Sequence, residues 1–380
     1  MLLLLLYCIG ASSDDAIFSR FAETFTSNPT LIGILASTGW ITYTLMSGPA
    51  GGVVGRIGIK KAVLMGGILD SIGFLLIYAS TSTLTLVIAM IVNGIGSAFF
   101  WAASRVHVAN TSYGKTGMAF GLYSASWSIG WALGPVVGGL MALVGGIRAP
   151  FLMGAAVLMA ITLIIVQIIP DDGNKRKISK AIMYEIDGGF LKDIKRFLKT
   201  APPGVKRLLF LQAMEYAILE MILVFSPLYF TQLNYAEIGA LFFMQSIIFA
   251  AGSIFWGRMA DKMMKHMFVV SGFVVSGIII FSFLNVSNFI LMGVLMGTLG
   301  LALALVEPIS DAMLNDMIKP KDRGIVNGVS STAFGTGASL GPIIAGVGAS
   351  YFGISGIFIM AALLCGLGGI IAFTLGFRKK

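Results

Sequence analysis

Apolar residues run along this chain in twelve segments separated by short polar stretches. A helix needs about 20 largely apolar residues to cross a bilayer, so each segment predicts one membrane-spanning helix. We number these helices span 1 to span 12. Their predicted bounds are 2–26, 30–54, 61–80, 84–104, 117–144, 149–169, 206–231, 236–258, 267–284, 286–312, 324–350 and 353–376.

The first apolar run, MLLLLLYCIG, is followed by the polar stretch ASSDD, after which apolar residues resume. A secretory signal peptide has basic residues ahead of its apolar run, and this stretch has none. We therefore interpret residues 2–26 as an interrupted first span. Spans 1 and 10 are the least regular of the twelve because both contain acidic residues.

One long polar stretch divides the twelve spans into two groups of six. We expect an N-terminal six-helix bundle at residues 1–169, a linker at 170–205 and a C-terminal six-helix bundle at 206–380. Within the linker, residues 181–198 have a basic amphipathic pattern. That pattern suits either a short helix on the membrane surface or an irregular basic linker.

The amino-acid composition indicates the same class of protein. Charged residues make up 11% of the chain and apolar residues 57%, whereas soluble domains are about 25% charged. The expected fold is an all-α polytopic membrane protein. Cys8 and Cys365 lie in apolar runs and predict neither a disulfide framework nor a metal site. No nucleotide-binding or nucleophile motif stands out, so we expect no cofactor and no enzyme activity.

The basic residues lie on one side of the predicted membrane protein. If the amino terminus is cytoplasmic, every Lys and Arg except Arg20 and Arg148 falls on a cytoplasmic loop or at the cytoplasmic end of a span. Positive loops remain in the cytoplasm, so both termini are predicted to be cytoplasmic and the protein to lie in the plasma membrane. The net charge of +9 then faces the bilayer surface, and we expect no nucleic-acid partner.

A glycine pattern occurs in both halves of the chain. Span 5 contains GLYSASWSIGWALGPVVGG, and span 11 contains GVSSTAFGTGASLGPIIAG at an offset of 207 residues. Five of six positions agree, and the sixth changes glycine to alanine. The positions in span 5 are Gly121, Gly130, Gly134, Pro135, Gly138 and Gly139.

A charged loop also occurs twice, as GGVVGRIGIKK at 51–61 and as GRMADKMMKH at 257–266. Two related six-helix halves joined by a long connector resemble the major facilitator superfamily. The glycine and proline spacing of span 5 is similar to a motif of its drug:proton antiporters, and GRMADKMMKH resembles its loop motif G-x-x-x-D-[RK]-x-x-[RK]. The resemblance implies two pseudo-symmetric bundles and alternating-access transport by a monomer. Its partners would be a small-molecule substrate, protons and the lipid bilayer.

The resemblance also implies a cytoplasmic gate at these two loops, made by Gly51, Arg56, Gly257, Asp261 and Lys262. A carboxylate suits the positive amino end of a helix, so Asp261 is expected to meet the start of span 5 at residues 115–117.

The first copy of the loop has Gly55 where that acid would stand. Its contact with span 11 is therefore either missing or reversed, as Arg56 against Asp322. We expect two unequal latches, with Asp261 contributing more to closure.

Ionisable residues inside spans are costly and are therefore functional candidates. The repeat aligns Asp14 with Glu220 and Arg105 with Asp311. The resemblance places spans 1, 4, 7 and 10 around a central cavity. The expected substrate or ion pathway comprises Asp14, Asp15, Glu215, Glu220, Asn93, Arg105, Glu307 and Asp311.

A carboxyl group removed from water holds its proton more readily, so a membrane acid can exchange a proton for a cationic substrate. Asp14, Asp15 and Glu220 are the leading candidates for this role, although the two aspartates could instead form a structural break. Glu307 and Asp311 share a helical face. They belong either to the pathway or to an ion-pair network with Arg105 near the cytoplasmic end.

Two further positions in the membrane affect the interpretation. Asp70 lies within span 3, where an interhelical hydrogen bond is expected. Met90 stands four residues before Gly94, where proton-coupled relatives carry an arginine. The usual proton relay therefore lacks its arginine, and Arg105 is the available replacement.

These features together predict proton-coupled efflux of amphipathic, cationic compounds. We expect an aromatic cavity lining, although the same residues could face lipid or pack between helices: Trp101, Tyr123, Trp127, Trp131, Tyr216, Phe225 and Tyr229. Uptake of a sugar or organic acid is the alternative, but a sugar carrier would need more amides than spans 7 and 10 contain. A non-transporting sensor of the same fold is a third alternative.

Overall fold

The computed structural model describes residues 1–111, 116–170, 195–197, 199–260, 264–318 and 323–376. Throughout these ranges the regular structure is helical, and helices occupy all twelve predicted spans. Most of the linker lies outside the described residues, including nearly all of the amphipathic stretch 181–198. The proposed division into two bundles and a linker therefore stays a prediction.

The N-terminal half contains five continuous spans after a broken first span. They are span 2 at Pro29–Ile57, span 3 at Ile59–Ala79, span 4 at Thr83–Thr111, span 5 at Thr116–Gly145 and span 6 at Ala149–Ile168. Span 2 begins where the sequence places a helix-capping residue directly before a proline. The Asn28 side chain accepts a hydrogen bond from the backbone N–H of Thr30, and Pro29 occupies the first helical position.

The C-terminal half repeats this arrangement. Span 7 is Pro203–Tyr229, span 8 is Tyr235–Ala260 and span 9 is Lys265–Ser282. Spans 11 and 12 form one helical run, Arg323–Phe373, divided at Gly353. That glycine has a φ of 74°, which other residues adopt with difficulty, so it permits the sharp turn between the two spans.

Spans 1 and 10 are each broken into two helices. Span 1 consists of Leu2–Ala11 and Phe18–Glu23, which confirms the predicted interruption. Span 10 consists of Phe289–Leu303 and Glu307–Asp316. Irregular backbone at membrane depth is tolerated where it is enclosed by protein or lines a cavity, and both breaks carry acidic residues.

Length and composition support twelve crossings. Within the described ranges, nine helical segments are long and apolar enough to span a bilayer, and one of them, Val329–Phe373, has 45 residues and accommodates two crossings. Span 2 and the broken span 1 complete the set. Because the number of crossings is even, both chain ends lie on one face, which we call the terminal face. The opposite side is the distal face.

Candidate transport cavity

A cavity of about 720 Å³ lies between the two halves. Its wall comes from spans 1, 2, 4 and 5 of the N-terminal half and spans 7, 8, 10 and 11 of the C-terminal half, with Phe74 added from span 3. The four spans expected to line it therefore do so. Spans 2, 5, 8 and 11 supply much of the remaining surface.

Span 2 packs closely on span 11 toward the distal face, and we call this contact the 2–11 seam. A side chain on Gly33 would overlap the backbone carbonyl of Pro342, and one on Gly346 would overlap the backbone of Pro29. Only glycine allows two helix backbones to approach this closely. The contact therefore depends on the glycines at these two positions.

Span 5 packs on span 8 in the same way, and we call this contact the 5–8 seam. Gly239 faces the backbone of Pro135, and Gly139 faces that of Tyr235. Each of these residues stands 206 or 207 positions from its counterpart in the other seam. The repeated sequence pattern thus builds the same contact between the halves twice.

The glycine motif of span 5 packs against two different helices, span 1 and span 8. Gly130, Gly134 and Gly138 pack against span 1, where a side chain would meet Cys8, Ser12 and Ser13 in turn. Pro135 and Gly139 belong to the 5–8 seam. The sequence suggested close packing at the motif but did not indicate that it joins the two halves.

Near the terminal face the described glycines make no comparable contact between the halves. No described atom of another element lies within 4 Å of a Cβ built on Gly48, Gly51, Gly121 or Gly257. The close contacts between the halves, and with them the closure of the cavity, therefore lie on the distal side.

The predicted gate is only partly described. Gly51 lies on the cavity wall, and Arg56 lies in the last turn of span 2. Asp261 and Lys262 lie outside the described residues, as do Lys115 and Asp322. The unequal latches therefore stay a prediction.

Three of the predicted acids meet at the break in span 1. Asp14, Asp15 and Glu220 all lie on the cavity wall, and the carboxyl group of Asp15 faces both of the others. The indole of Trp131 faces Asp15, and that of Trp40, from span 2, faces Glu220 across the two halves. The structure thus brings together the acids that the repeat had placed at equivalent depth.

The two acids of span 10 form a second group on the wall. The Tyr216 hydroxyl donates a hydrogen bond to Glu307. The Gln212 amide donates to Asp311 at 2.6 Å, and the Ser330 hydroxyl donates to Asp311 at 3.4 Å. These donors all belong to the C-terminal half. The described hydrogen bonds of the two acids thus form a network within that half, and the ion-pair network with Arg105 stays a prediction.

Asp70 is held by three donors inside the N-terminal half. Tyr7 donates to it at 2.5 Å, Ser97 at 2.8 Å and Asn93 at 3.0 Å. The predicted interhelical hydrogen bonding of Asp70 is confirmed. Asn93 and Ser97 line the cavity, whereas Asp70 lies behind them. The predicted pathway residue Asn93 is thus a wall residue whose amide is bound to that carboxyl group.

The remaining predicted pathway residues divide between the wall and the protein interior. Arg105 lies on the wall beside Tyr123. Met90, which replaces the expected arginine, lines the cavity and packs on Gly39. Glu215 is off the wall and buried.

Aromatic residues cover the N-terminal side of the cavity. Trp101, Tyr123, Trp127 and Trp131 line it, and the rings of Trp127 and Trp131 stack with centroids 5.4 Å apart. Tyr216 lines the opposite side, as expected. Two aromatic residues expected on the wall are elsewhere. Phe225 is buried between helices and Tyr229 packs on Phe358, because they lie beyond the cavity toward the distal end of span 7.

The wall residues that the sequence did not identify include Trp40, Gln212, Gln245 and Phe334. Trp40 follows the seam residue Gly33 by seven positions, or two helical turns, and therefore lies on the same helical face. That spacing was the available signal for Trp40. Phe334 is the repeat equivalent of Trp127, an expected wall residue, so the offset of 207 was its signal. The two glutamines lie in apolar surroundings without a comparable signal.

Comparison with known proteins agrees with the helical membrane fold and the central cavity described above. The family model described as Major Facilitator Superfamily matches residues 1–236 and 208–380. Multidrug resistance protein 2 of Bacillus subtilis is 23% identical over 341 residues, covering 89% of this chain and 85% of that protein. The proton-coupled antiporter flippase LtaA of Staphylococcus saprophyticus is 23% identical over 360 residues, covering 91% of this chain and 86% of that protein.

Solved structures agree in fold. A bacterial homologue of the human lysosomal transporter Spinster, in an inward-facing and unoccupied conformation, matches with a TM-score of 0.83 at 14% identity, covering 98% of this chain and 95% of that one. A mutant form of the nucleoside transporter NupG matches with a TM-score of 0.79 at 14% identity, covering 99% of this chain and 98% of that one. These matches concern the fold alone.

Proposed function

Because the chain belongs to the Major Facilitator Superfamily, whose members are membrane transporters and not enzymes, we propose that it exports amphipathic cationic compounds from the cytoplasm in exchange for protons. The terminal face is then cytoplasmic, in keeping with the basic residues of its loops. The conformation described is the one that receives substrate from inside. A single chain suffices, because the cavity lies between its own two halves.

The composition of the cavity wall carries this proposal. Its described part presents five carboxyl groups and one guanidinium group, together with four tryptophans. Carboxylates attract cations, and the faces of tryptophan rings bind organic cations by about 0.5–2 kcal/mol each. An organic anion would find Arg105 as its one basic partner on that part of the wall.

Sheltered carboxyl groups also provide a means of coupling. Each can hold either a proton or the charge of a substrate cation, and filling it with one disfavours the other. If protons enter from the distal side when that side opens, they displace the cation outward. The relatives named as a multidrug resistance protein and a proton-coupled antiporter support this direction of transport at low identity.

Uptake of a sugar is less well supported, because each amide side chain on the described wall already has a protein partner for at least one of its polar atoms. Asn93 is bound to Asp70, Gln212 to Asp311 and Ser330, and Gln245 to Ser246. A sugar site needs amides and acids that point freely at hydroxyl groups.

The test uses purified protein in proteoliposomes with an imposed pH gradient and ethidium, a planar aromatic cation. We expect the parent protein to move ethidium against the proton flow. Asp14→Asn and Glu220→Gln should each lower the gradient-driven rate at least tenfold. The control is Glu23→Gln, which changes an exposed acid off the wall and should retain the parent rate.

Full gradient-driven rates in both variants would show that these carboxyl groups do not couple transport. Accumulation of a solute along the proton flow, with no ethidium movement, would support nutrient uptake instead.

A further inference from the structure

Glu215 occupies an unusual position among the acids of the C-terminal half. It precedes the wall residue Tyr216 directly and the wall residue Glu220 by five positions, yet it does not line the cavity. Its side chain is 3% exposed, and its Oε2 atom has no hydrogen-bond partner among the described residues. A substrate in the cavity would not touch it.

The surroundings of Glu215 hold no positive side chain to balance a negative charge, as far as the described residues extend. The titratable groups that face it are Glu307 and Asp311 of span 10, Tyr216 of its own span and Cys365 of span 12. Burying a carboxylate among other acids, with one oxygen unpartnered, costs several kcal/mol, so this position favours the neutral form of the side chain.

The position of Glu215 is tied to the break in span 10. Its carboxyl group lies against the backbone N–H of Glu307, the first residue of the helix Glu307–Asp316. Residues 304–306 form a turn that separates this helix from Phe289–Leu303. The side chain of Glu307 reaches the cavity wall. Glu307 thus stands between the hidden acid and the substrate space.

We propose that Glu215 is a proton site separate from the substrate wall, loaded and unloaded through Glu307. In the unloading step the O–H bond of Glu215 breaks and its proton passes to a carboxylate oxygen of Glu307. Glu215 is left charged and Glu307 neutral, and the proton then leaves Glu307 for cavity water. A shift of the helix Glu307–Asp316 brings the groups into reach. This inference rests on the proton antiport proposed above.

Two measurements on Glu215→Gln, which mimics the protonated acid, test this role. The affinity for ethidium, measured by fluorescence with purified protein, should stay within about twofold of the parent, whereas Glu307→Gln should weaken it at least tenfold. In proteoliposomes, the ratio of the rate with a pH gradient to the rate without one should fall to about one in Glu215→Gln.

A third measurement needs no substitution. Dicyclohexylcarbodiimide reacts with protonated carboxyl groups in apolar surroundings, and mass spectrometry locates the product. Excess ethidium should protect Glu220 and Glu307 in the parent protein but leave the labelling of Glu215 unchanged.

The inference is wrong if Glu215→Gln keeps the gradient response of the parent, if it weakens ethidium binding as much as Glu307→Gln does, or if ethidium protects Glu215 equally. A parent protein without any gradient response would contradict the antiport proposal itself. That result is distinguishable because it appears before any variant is made.

Discussion

The two seams that close the distal face bury equivalent glycines but differ in the side chains around them. In the 2–11 seam, the hydroxyl groups of Thr30 and Ser350 share a hydrogen bond of 2.8 Å. The equivalent positions of the 5–8 seam are Ala236 and Leu143, which cannot form such a bond. Duplication has therefore kept the backbone contact and not the polar contact beside it.

The aromatic contacts differ as well. The ring of Trp40 packs edge-on against Phe334 across the 2–11 seam, with centroids 5.4 Å apart. Their equivalents are Ser246 and Trp127, and Trp127 stacks on Trp131 of its own half instead. The contact between spans 2 and 11 thus continues beyond the glycines toward the cavity, through the pair Trp40 and Phe334.

The 5–8 seam is stabilised by a charged side chain instead. Arg20 of span 1 donates hydrogen bonds to the backbone carbonyls of Pro227, Phe230 and Leu233 at 2.7, 2.7 and 2.9 Å, and lies over the ring of Tyr235. The carboxyl end of a helix favours a positive charge. The same backbone contact is therefore stabilised by neutral side chains in one seam and by a guanidinium group in the other.

The largest effect is expected from the glycines, because both seams depend on them. Gly33→Leu and Gly239→Leu each place a side chain into the backbone of a proline in the opposite half. We expect each substitution to lower the fraction of molecules with a closed distal face at least tenfold. The measurement is labelling from the distal side of a cysteine introduced at Ala36, since the two native cysteines are buried.

Gly366→Leu is the matched control, because a side chain there meets open space. Distal labelling that stays at the parent level in either seam variant would show that the glycine contact does not hold that seam closed.

An intermediate effect is expected from Arg20→Gln. Hydrogen bonds to a charged group contribute about 1.5–3 kcal/mol each, and this change weakens three. Distances between paired spin labels should widen across the 5–8 seam more than across the 2–11 seam.

The control for Arg20 is Arg148→Gln. Arg148 also donates to backbone carbonyls at the end of a span, those of Tyr78 and Ser80, but within its own half. Equal widening in both arginine variants would show that the effect arises from helix capping and not from the link between halves.

The smallest effect is expected from Thr30→Val, which removes from the 2–11 seam a hydroxyl that shares a hydrogen bond with Ser350 and donates a longer one, of 3.3 Å, to the Gly346 carbonyl. Such a bond contributes about 0.5–1.5 kcal/mol. The distal-open population should rise about two- to tenfold, as read from the same spin-label distances. The control Ala236→Val changes the equivalent residue of the 5–8 seam, where no hydrogen bond is lost. A larger rise of the distal-open population in Ala236→Val than in Thr30→Val would show that the Thr30 hydroxyl does not stabilise the 2–11 seam.

Much of the architecture was predictable from the sequence. The apolar runs gave the spans, and the glycine and proline spacing indicated two related halves. The polar stretch ASSDD predicted the break in span 1. The break in span 10 was missed because residues 304–306, Ala-Leu-Val, are apolar and carry no turn signal.

Local sequence could not assign the acids to their surroundings. Glu215 and Glu220 are five residues apart on one helix, and one is buried behind the wall while the other lines it. In a soluble helix, alternating polar and apolar faces would have shown which side faces inward. Span 7 is apolar on nearly all sides, because lipid and neighbouring helices are equally apolar surroundings.

By itself, the sequence determined that this chain crosses the membrane as two related groups of helices with acids among them. Length, hydrophobicity and repeat spacing are properties of the chain alone, and the bilayer acts on them directly. Only the tertiary structure decided how each helix is rotated and which half its residues touch. Those choices depend on glycine-mediated contacts between residues that are far apart in the chain. They placed Glu220 on the wall, Glu215 behind it, and Arg20 between the halves.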